Sequence, residues 1–219
     1  MSKLRIGIIC AMPEEALPFT RSLNKPISEV IGDIPVTRGD LSGKEIFVLE
    51  SGIGKVNAAL STASLIINYR PKVVISAGTA GGLHPDVKGV VVSNVATYGD
   101  VDLTAFGRNL NELPGVPKKL PAYFDACDNI VGVKVGEIVT LDRFVEDVSN
   151  IKAANKDAIA VDMESASIAH VCWRFGVPFV SIRAISDNAD LSASEDFTGE
   201  IDTAAELSYQ SIMKLLEVI

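Results

Sequence analysis

Three acids carry the chemical interest of this chain: Glu15 in "MPEEAL", Glu164 in "AIAVDMESASIAH" and Asp187 in "ISDNAD". Each follows closely on an apolar, strand-like run. A carboxylate removed from water without partners is costly, so acids at the margin of buried strands are either solvated or employed. Singly, each has an ordinary structural explanation. Acids in a first helical turn, with a proline near its first position, account for "MPEEAL". A turn or a helix cap accounts for Asp187. Together they say more. In an open α/β sheet the carboxyl ends of the strands converge on one crevice, and the surrounding sequence supplies no excess of arginine to pair the acids there. Carboxylates of unequal environment at one site suit general acid and general base work.

Two glycine-bearing loops could bring backbone to a ligand. "SGIGKV", residues 51–56, has the look of a phosphate loop, but Leu49 stands where that motif needs glycine and Val56 where it needs Ser or Thr. It reads as a tight turn into a helix, able to present backbone amides. "SAGTAGGL", residues 76–83, follows a buried run and permits close approach at a strand end, although an ordinary turn explains it equally well and it is not a dinucleotide fingerprint. His84 and His170 show no partner pattern, and Cys10, Cys127 and Cys172 are scattered. No metal site, cofactor or disulfide framework is expected, which suits a reducing compartment.

The elements that must position these groups alternate. Strands are expected at Leu4 to Cys10, Pro35 to Leu41, Glu45 to Glu50, 72–78, 89–100, 133–142, "AIAVDM" and 179–187, with a hairpin turn at "SGK". Helices are expected from about Glu14, over 55–69, after Glu164, and from about Phe197 to the end, where Ala205, Tyr209, Ile212 and Leu216 share an inner face. Residues 107–122, rich in proline and glycine, form a long loop. The pattern predicts a single three-layer α/β/α domain over 1–219, with a central, mixed, twisted sheet. The chain has 219 residues, 47% of them hydrophobic, and a net charge of -8. That composition supports a sizeable core and argues against binding nucleic acid by charge. The apolar start is too short for a signal sequence and no run reaches membrane-spanning length, so a cytoplasmic protein without membrane or nucleic-acid partners is expected.

With "IGIICAMPEE", "SGIGKVNAAL", "SAGTAGGL", "DVDLTAFG", "AIAVDMESASIAHVC" and "VPFVSIRAISDNAD" in this order, the chain resembles the methylthioadenosine/S-adenosylhomocysteine nucleosidases of the nucleoside phosphorylase superfamily along nearly its whole length. The resemblance implies that fold, a role in nucleoside catabolism and methionine salvage, and hydrolysis of the N-glycosidic bond of 5′-substituted adenine nucleosides. It assigns Glu15 as base for the attacking water and Asp187, steadied by Ser186, as the acid toward adenine N7. Glu164 then holds the ribose hydroxyls, Met163 packs under the sugar, and Thr79 and Gly81 lie near the water and the purine. Phe144 stacks on the base and the Val145 backbone reads its edge; Met12, Ile53 and Phe197 form walls. Phe106 and Pro114 match residues that cap the neighbouring subunit's pocket, which implies a homodimer. Asp162 matches an acidic position without a clear catalytic role. "TLDRFV" departs from the family in placing Arg143 before the stacking Phe144, and the segment from about Pro121 to Lys134 is short. Rival readings are a phosphorylase of the same fold, an aminofutalosine-type nucleosidase and a noncatalytic nucleoside-binding relative.

Overall fold

The computed structural model describes residues 3–190 and 193–219. Its strands join into one mixed sheet whose middle is the parallel pair β1 (Arg5–Cys10) and β5 (Val73–Gly82). On one side β1 continues in parallel to β4 (Lys44–Glu50), then antiparallel to β3 (Ile34–Leu41) and β2 (Asn24–Ile31). On the other, β5 pairs in parallel with β10 (Phe179–Asp187), which lies antiparallel to β6 (Val90–Tyr98). β6 continues in parallel to β8 (Lys134–Thr140), and β8 to β9 (Ala158–Asp162). β9 then returns antiparallel to the last residues of β5, with Val161 opposite Gly81 and Ala160 opposite Gly82. Five of the strands therefore close into a ring, and the others extend from β5 as a twisted sheet.

Alternation along the strands explains the layers. Ile6, Ile8 and Cys10 of β1 meet Ala16 and Phe19 of α1 (Pro13–Ser22) and Ile212, Leu215 and Leu216 of α5 (Ala193–Val218). Ile9, on the opposite face, joins Ala58, Leu65 and Ile66 of α2 (Lys55–Tyr69) and Ile168, Ala169 and Cys172 of α4 (Ser165–Phe175). The mixed-sheet expectation is met, and α2 matches its expected bounds. α5 begins at Ala193, before the expected start near Phe197. β2 was not expected: its residues are mostly exposed and Pro26 interrupts the run, as suits an edge strand. A short helix α3 (Ser149–Ala154) and a two-residue strand β7 (Leu120–Pro121), paired to β6, complete the elements. Most of the 107–122 loop is irregular, and 125–129 form one 3₁₀ turn where the short segment lies. Among the described residues no helix is long and apolar enough to cross a membrane.

Gly7 shows how tightly α2 sits on the sheet. A Cβ there would stand 2.2 Å from Leu65 Cδ2, whose side chain is fully buried. Overpacking of this kind costs about 1–3 kcal/mol. Gly7→Ala is expected to lower the denaturation midpoint accordingly, measured by urea unfolding; an unchanged midpoint would mean that α2 yields freely.

Candidate active site

The site forms where β1, β5, β9 and β10 meet. Glu15 is the third residue of α1, immediately after β1. Its buried carboxylate accepts hydrogen bonds from the Ala11 amide at 2.9 Å and the Met12 amide at 3.2 Å through Oε2. Through Oε1 it accepts from the Thr79 amide at 2.9 Å and the Thr79 hydroxyl at 3.2 Å. The first-turn explanation is met, and Glu15, besides closing the helix start, also faces inward. Gly78 makes this possible. Its φ is +145°, and a Cβ there would stand 2.3 Å from Glu15 Oε1 and 2.7 Å from Arg183 Nη1. Ser208, from α5, accepts the Gly78 amide at 3.2 Å and donates to the Ile182 carbonyl at 2.9 Å, which fixes that backbone against β10.

Glu164 caps the start of α4 just beyond β9. Its Oε1 accepts the Gly54 amide at 2.9 Å. The "SGIGKV" turn thus presents an amide inward, to a protein carboxylate, and the positive φ of Gly54, 98°, belongs to that turn. Asp187 ends β10; it accepts from the Ser186 hydroxyl at 2.8 Å and the Ala189 amide at 2.8 Å. Gly81 passes close beside it, since a Cβ there would stand 2.9 Å from Asp187 Oδ1.

Glu15 and Asp187 come from the carboxyl ends of strands parallel to β5, as the open-sheet expectation had it, but Glu164 does not. β9 runs antiparallel to β5, so Glu164 comes back alongside the last third of β5. The absence of a pairing arginine was also wrongly expected. Arg183, in the middle of β10, is only 1% exposed and lies beneath the carboxylates. Its Nη2 is 2.9 Å from Asp162 Oδ2 and 3.4 Å from Glu164 Oε2. It also donates to Ser76 Oγ at 2.9 Å and, through Nε, to Ser181 Oγ at 3.2 Å. A charge inside a buried strand must be paired, and Arg183 stands four residues before Asp187 on the same strand; that spacing was the signal available in the sequence.

Burial dominates the electrostatics. It raises the Glu15 pKa despite the opposing Arg183 charge and the amides of Thr79, Ala11 and Met12. It raises Glu164 to about 7, helped by the negative charges of Asp162 and Glu15 and opposed by Arg183 and the Gly54 amide. It raises Asp187 against the Ser186 hydroxyl and the Ala189 amide, with Asp196 and Asp190 adding to the rise. Burial alone works against the charge on Arg183, but Asp162, Glu164 and Glu15 more than offset it and raise its pKa.

These groups open on a cleft with about 640 Å³ of empty space. Glu15, Thr79, Gly81, Glu164, Ser186 and Asp187 line it with polar groups and close-packed backbone, and Met12, Ile53, Phe144, Val145, Met163 and Phe197 form its apolar walls. Phe144 and Phe197 meet edge to face, 5.8 Å between ring centres. Arg143 lines the same cleft, as do Ala11, Ala80, Val161, Asp162 and Ala189, which the sequence did not single out as lining residues. Phe106 and Pro114 lie outside the cleft and are exposed, Phe106 by 82%. A slot with apolar and aromatic walls and several buried carboxyl groups can hold a small, partly apolar ligand and exchange protons with it.

Comparison with known proteins agrees with this geometry. The family model described as "Phosphorylase superfamily" matches residues 5–217. A 5′-methylthioadenosine/S-adenosylhomocysteine nucleosidase of Bacillus thuringiensis (strain Al Hakam) is 39% identical over 229 residues, covering 98% of this chain and 99% of the relative. The structure of a nucleosidase of the same name from S. pneumoniae, with a transition-state inhibitor, superposes with TM-score 0.94 at 31% identity, over 98% of this chain and 99% of that one. Futalosine hydrolase of Helicobacter pylori strain 26695 superposes with TM-score 0.93 at 30% identity, over 99% and 98%. The fold, the near-complete coverage and the identity agree: the chain belongs to the phosphorylase superfamily and, within it, to the family of 5′-methylthioadenosine/S-adenosylhomocysteine nucleosidases.

Proposed function

We propose that this chain is an N-ribosyl hydrolase that cleaves 5′-methylthioadenosine and S-adenosylhomocysteine to adenine and the free thiopentose. In this reading the attacking water gives a proton to Glu15 as its oxygen bonds to C1′. The C1′–N9 bond breaks, its electron pair leaves with the base, and Asp187 protonates N7. Glu164 accepts from the ribose hydroxyls and stabilises the positive charge that grows on the sugar. Phe144 and Val145 hold the base, Met163 packs under the ribose, and Met12, Ile53 and Phe197 shape the remaining wall. A cytoplasmic location goes with this reading.

The observation that carries the reading is the placement of Glu15 and Asp187 on one cleft, both with pKa values raised by burial. Burial suits Asp187 to keep a proton for a poor leaving group and Glu15 to take one from water. A phosphate dianion has no comparable support. Arg183 is engaged by Asp162 and Glu164, and Arg143 belongs to the Phe144 wall rather than to the loop beside Glu15. Two carboxylates would repel such an anion, whereas water is neutral.

Adenine release is therefore expected at the same rate in phosphate-free buffer and after phosphate is added, with a free thiopentose as the sugar product by mass spectrometry. Cleavage that needs phosphate and yields a sugar 1-phosphate would overturn the hydrolase reading. Asp187→Asn is expected to lower kcat by roughly 10²- to 10⁴-fold, the usual contribution of a positioned general acid, while adenine still binds by calorimetry. A fall within a few-fold would remove Asp187 from that role.

The pH dependence has a definite sign. Glu164 is a full two-oxygen acceptor and an anion only when ionised, and its pKa is raised to about 7. Below that pH it gains a proton, one oxygen becomes a donor, and the negative charge that stabilises the growing cation on the sugar is lost. On a profile of kcat/KM, which reports the free enzyme, activity is expected to fall as pH drops through about 7. A profile flat down to pH 5 would contradict the role of Glu164.

The functional unit in this reading is a homodimer. Its support is an exposed apolar stripe on the outer side of α2, formed by Val56 (77% exposed), Leu60 and Ile67 with Ile53 before them, together with exposed Phe106 and Pro114. Phe106 and Pro114 would then cap the 5′-thio end of the partner's cleft. Light scattering is expected to give twice the chain mass, and Phe106→Ala to raise KM for methylthioadenosine. A fully active monomer would exclude shared sites.

A further inference from the structure

Beneath the cleft, Arg183 faces two carboxylates at unequal distance. Its Nη2 is 2.9 Å from Asp162 Oδ2 but 3.4 Å from Glu164 Oε2. Asp162 is not free to give way. Its Oδ1 accepts from the Thr140 hydroxyl at 2.6 Å, and both oxygens accept the Ser165 amide, at 3.2 and 3.1 Å. The Ser165 hydroxyl also donates to Asp162 and lies 2.7 Å from the Ser181 hydroxyl, which in turn accepts from Arg183 Nε. Thr140 Oγ1 accepts the Ala166 amide at 2.9 Å, so the start of α4 is tied to the same cluster. Glu164, by contrast, has one normal bond, from the Gly54 amide at 2.9 Å, and one long contact to Arg183.

We propose that Asp162 is a positioning residue: it holds the Arg183 guanidinium away from Glu164, so that the Glu164 carboxylate keeps acceptor capacity for the hydroxyls of a bound pentose. The proposal rests on the reading of Glu164 as the ribose-binding acid. A carboxylate offers about four acceptor sites. A guanidinium that closed on Glu164 in a two-pronged pair would take two of them. With Asp162 as the stronger anchor, Arg183 neutralises the site from below without occupying the face of Glu164 that looks into the cleft. The donors clamped on Asp162 keep that division of labour fixed.

The charged groups facing Glu164 make the consequence specific. They are Arg183 from β10, Asp162 from β9 and Glu15 from α1; Asp187 and Arg143 line the same cleft, and Lys55, beyond the Gly54 turn, is paired with Asp100 and Asp142. Asp162→Asn removes a negative neighbour and leaves Arg183 with Glu164 as its remaining close anionic partner. Both changes stabilise ionised Glu164. The acid limb of kcat/KM must therefore move to lower pH, while KM at neutral pH rises because Glu164 is now engaged by Arg183. Loosened packing alone would lower activity without moving the limb in that direction.

The test compares wild type, Asp162→Asn, Asp162→Glu and Thr140→Val on methylthioadenosine between pH 5 and pH 9, with melting temperature as a control for folding. For Asp162→Asn the expected result is an acid limb at least half a pH unit lower and a KM raised about ten-fold, with kcat less affected. Asp162→Glu, which keeps the charge, is expected to keep the wild-type limb. Thr140→Val keeps the charge but strips a donor that clamps Asp162, so Arg183 is freer to close on Glu164 and the limb should move down, by less than in Asp162→Asn; this variant carries the test if Asp162→Asn does not fold. An unmoved or raised limb in Asp162→Asn, the same shift in Asp162→Glu, or a limb not lowered in Thr140→Val overturns the proposal. A wild-type protein that releases no adenine would instead overturn the functional reading on which it rests.

Discussion

The site depends on one buried cation. Arg183 sits in a strand with Ile182 and Ala184 as neighbours, sealed from solvent, and it survives there only because Asp162 and Glu164 surround it. The dependence is mutual. Without Arg183, the three carboxylates Glu15, Asp162 and Glu164 would crowd a dry volume with like charge. The hydroxyls of Ser76, Ser165, Ser181 and Thr140 then read as a single requirement, since a buried ionic cluster must satisfy its remaining donors and acceptors or cost more than an apolar core. Small residues follow too. Arg183 lies opposite Gly78 in the β10–β5 ladder, and only a residue without a Cβ leaves space there for both the guanidinium and the Glu15 carboxylate.

The closure of five strands into a ring turns this cluster into a cleft. β9 arrives antiparallel on the end of β5, and the chain turns at Asp162 and Met163 into α4. Glu164 is thereby delivered to the flank of β5, while Glu15 enters from the end of β1 and Asp187 from the end of β10. Two buried carboxyl groups, Glu15 and Asp187, thus face one slot from different elements, and packing against α5 through Ser208 holds the intervening backbone. Preorganisation of this kind places the cost of orientation in folding rather than in the reaction.

Much of this was legible in the sequence. α2 and the strands other than β2 and the two-residue β7 announced themselves through apolar runs bounded by turn residues, and twelve of the fourteen residues singled out for the site line the one cleft. Two kinds of information were missing. The first was long-range topology: nothing in "AIAVDM" says that the strand runs against β5, so the strand-end argument holds for Glu15 and Asp187 but brought Glu164 to the same cleft by the wrong route. The second was pairing. Arg183 lies in an apolar run where its neighbours suggest core; its spacing from Asp187 marked it, but its partners are 19 and 21 residues away along the chain, so the pairing itself was hidden. β2 was missed because an edge strand buries little, and so carries little of the alternation by which strands are read.

That same edge strand bears on how the protein behaves in a crowd. A ring has no rim to offer, so β2 is the one long strand of the described sheet whose outer backbone is unpaired. Unpaired edges are templates for runaway stacking between molecules. Here Pro26 removes an amide, the register breaks between Asn24 and Ile27, and Lys25 takes a left-handed φ of 53° while the strand's side chains are mostly turned to water. These features blunt the template. The irregularity that hid β2 from a pattern search is thus a form of insulation, which lets the protein accumulate without its sheets joining end to end.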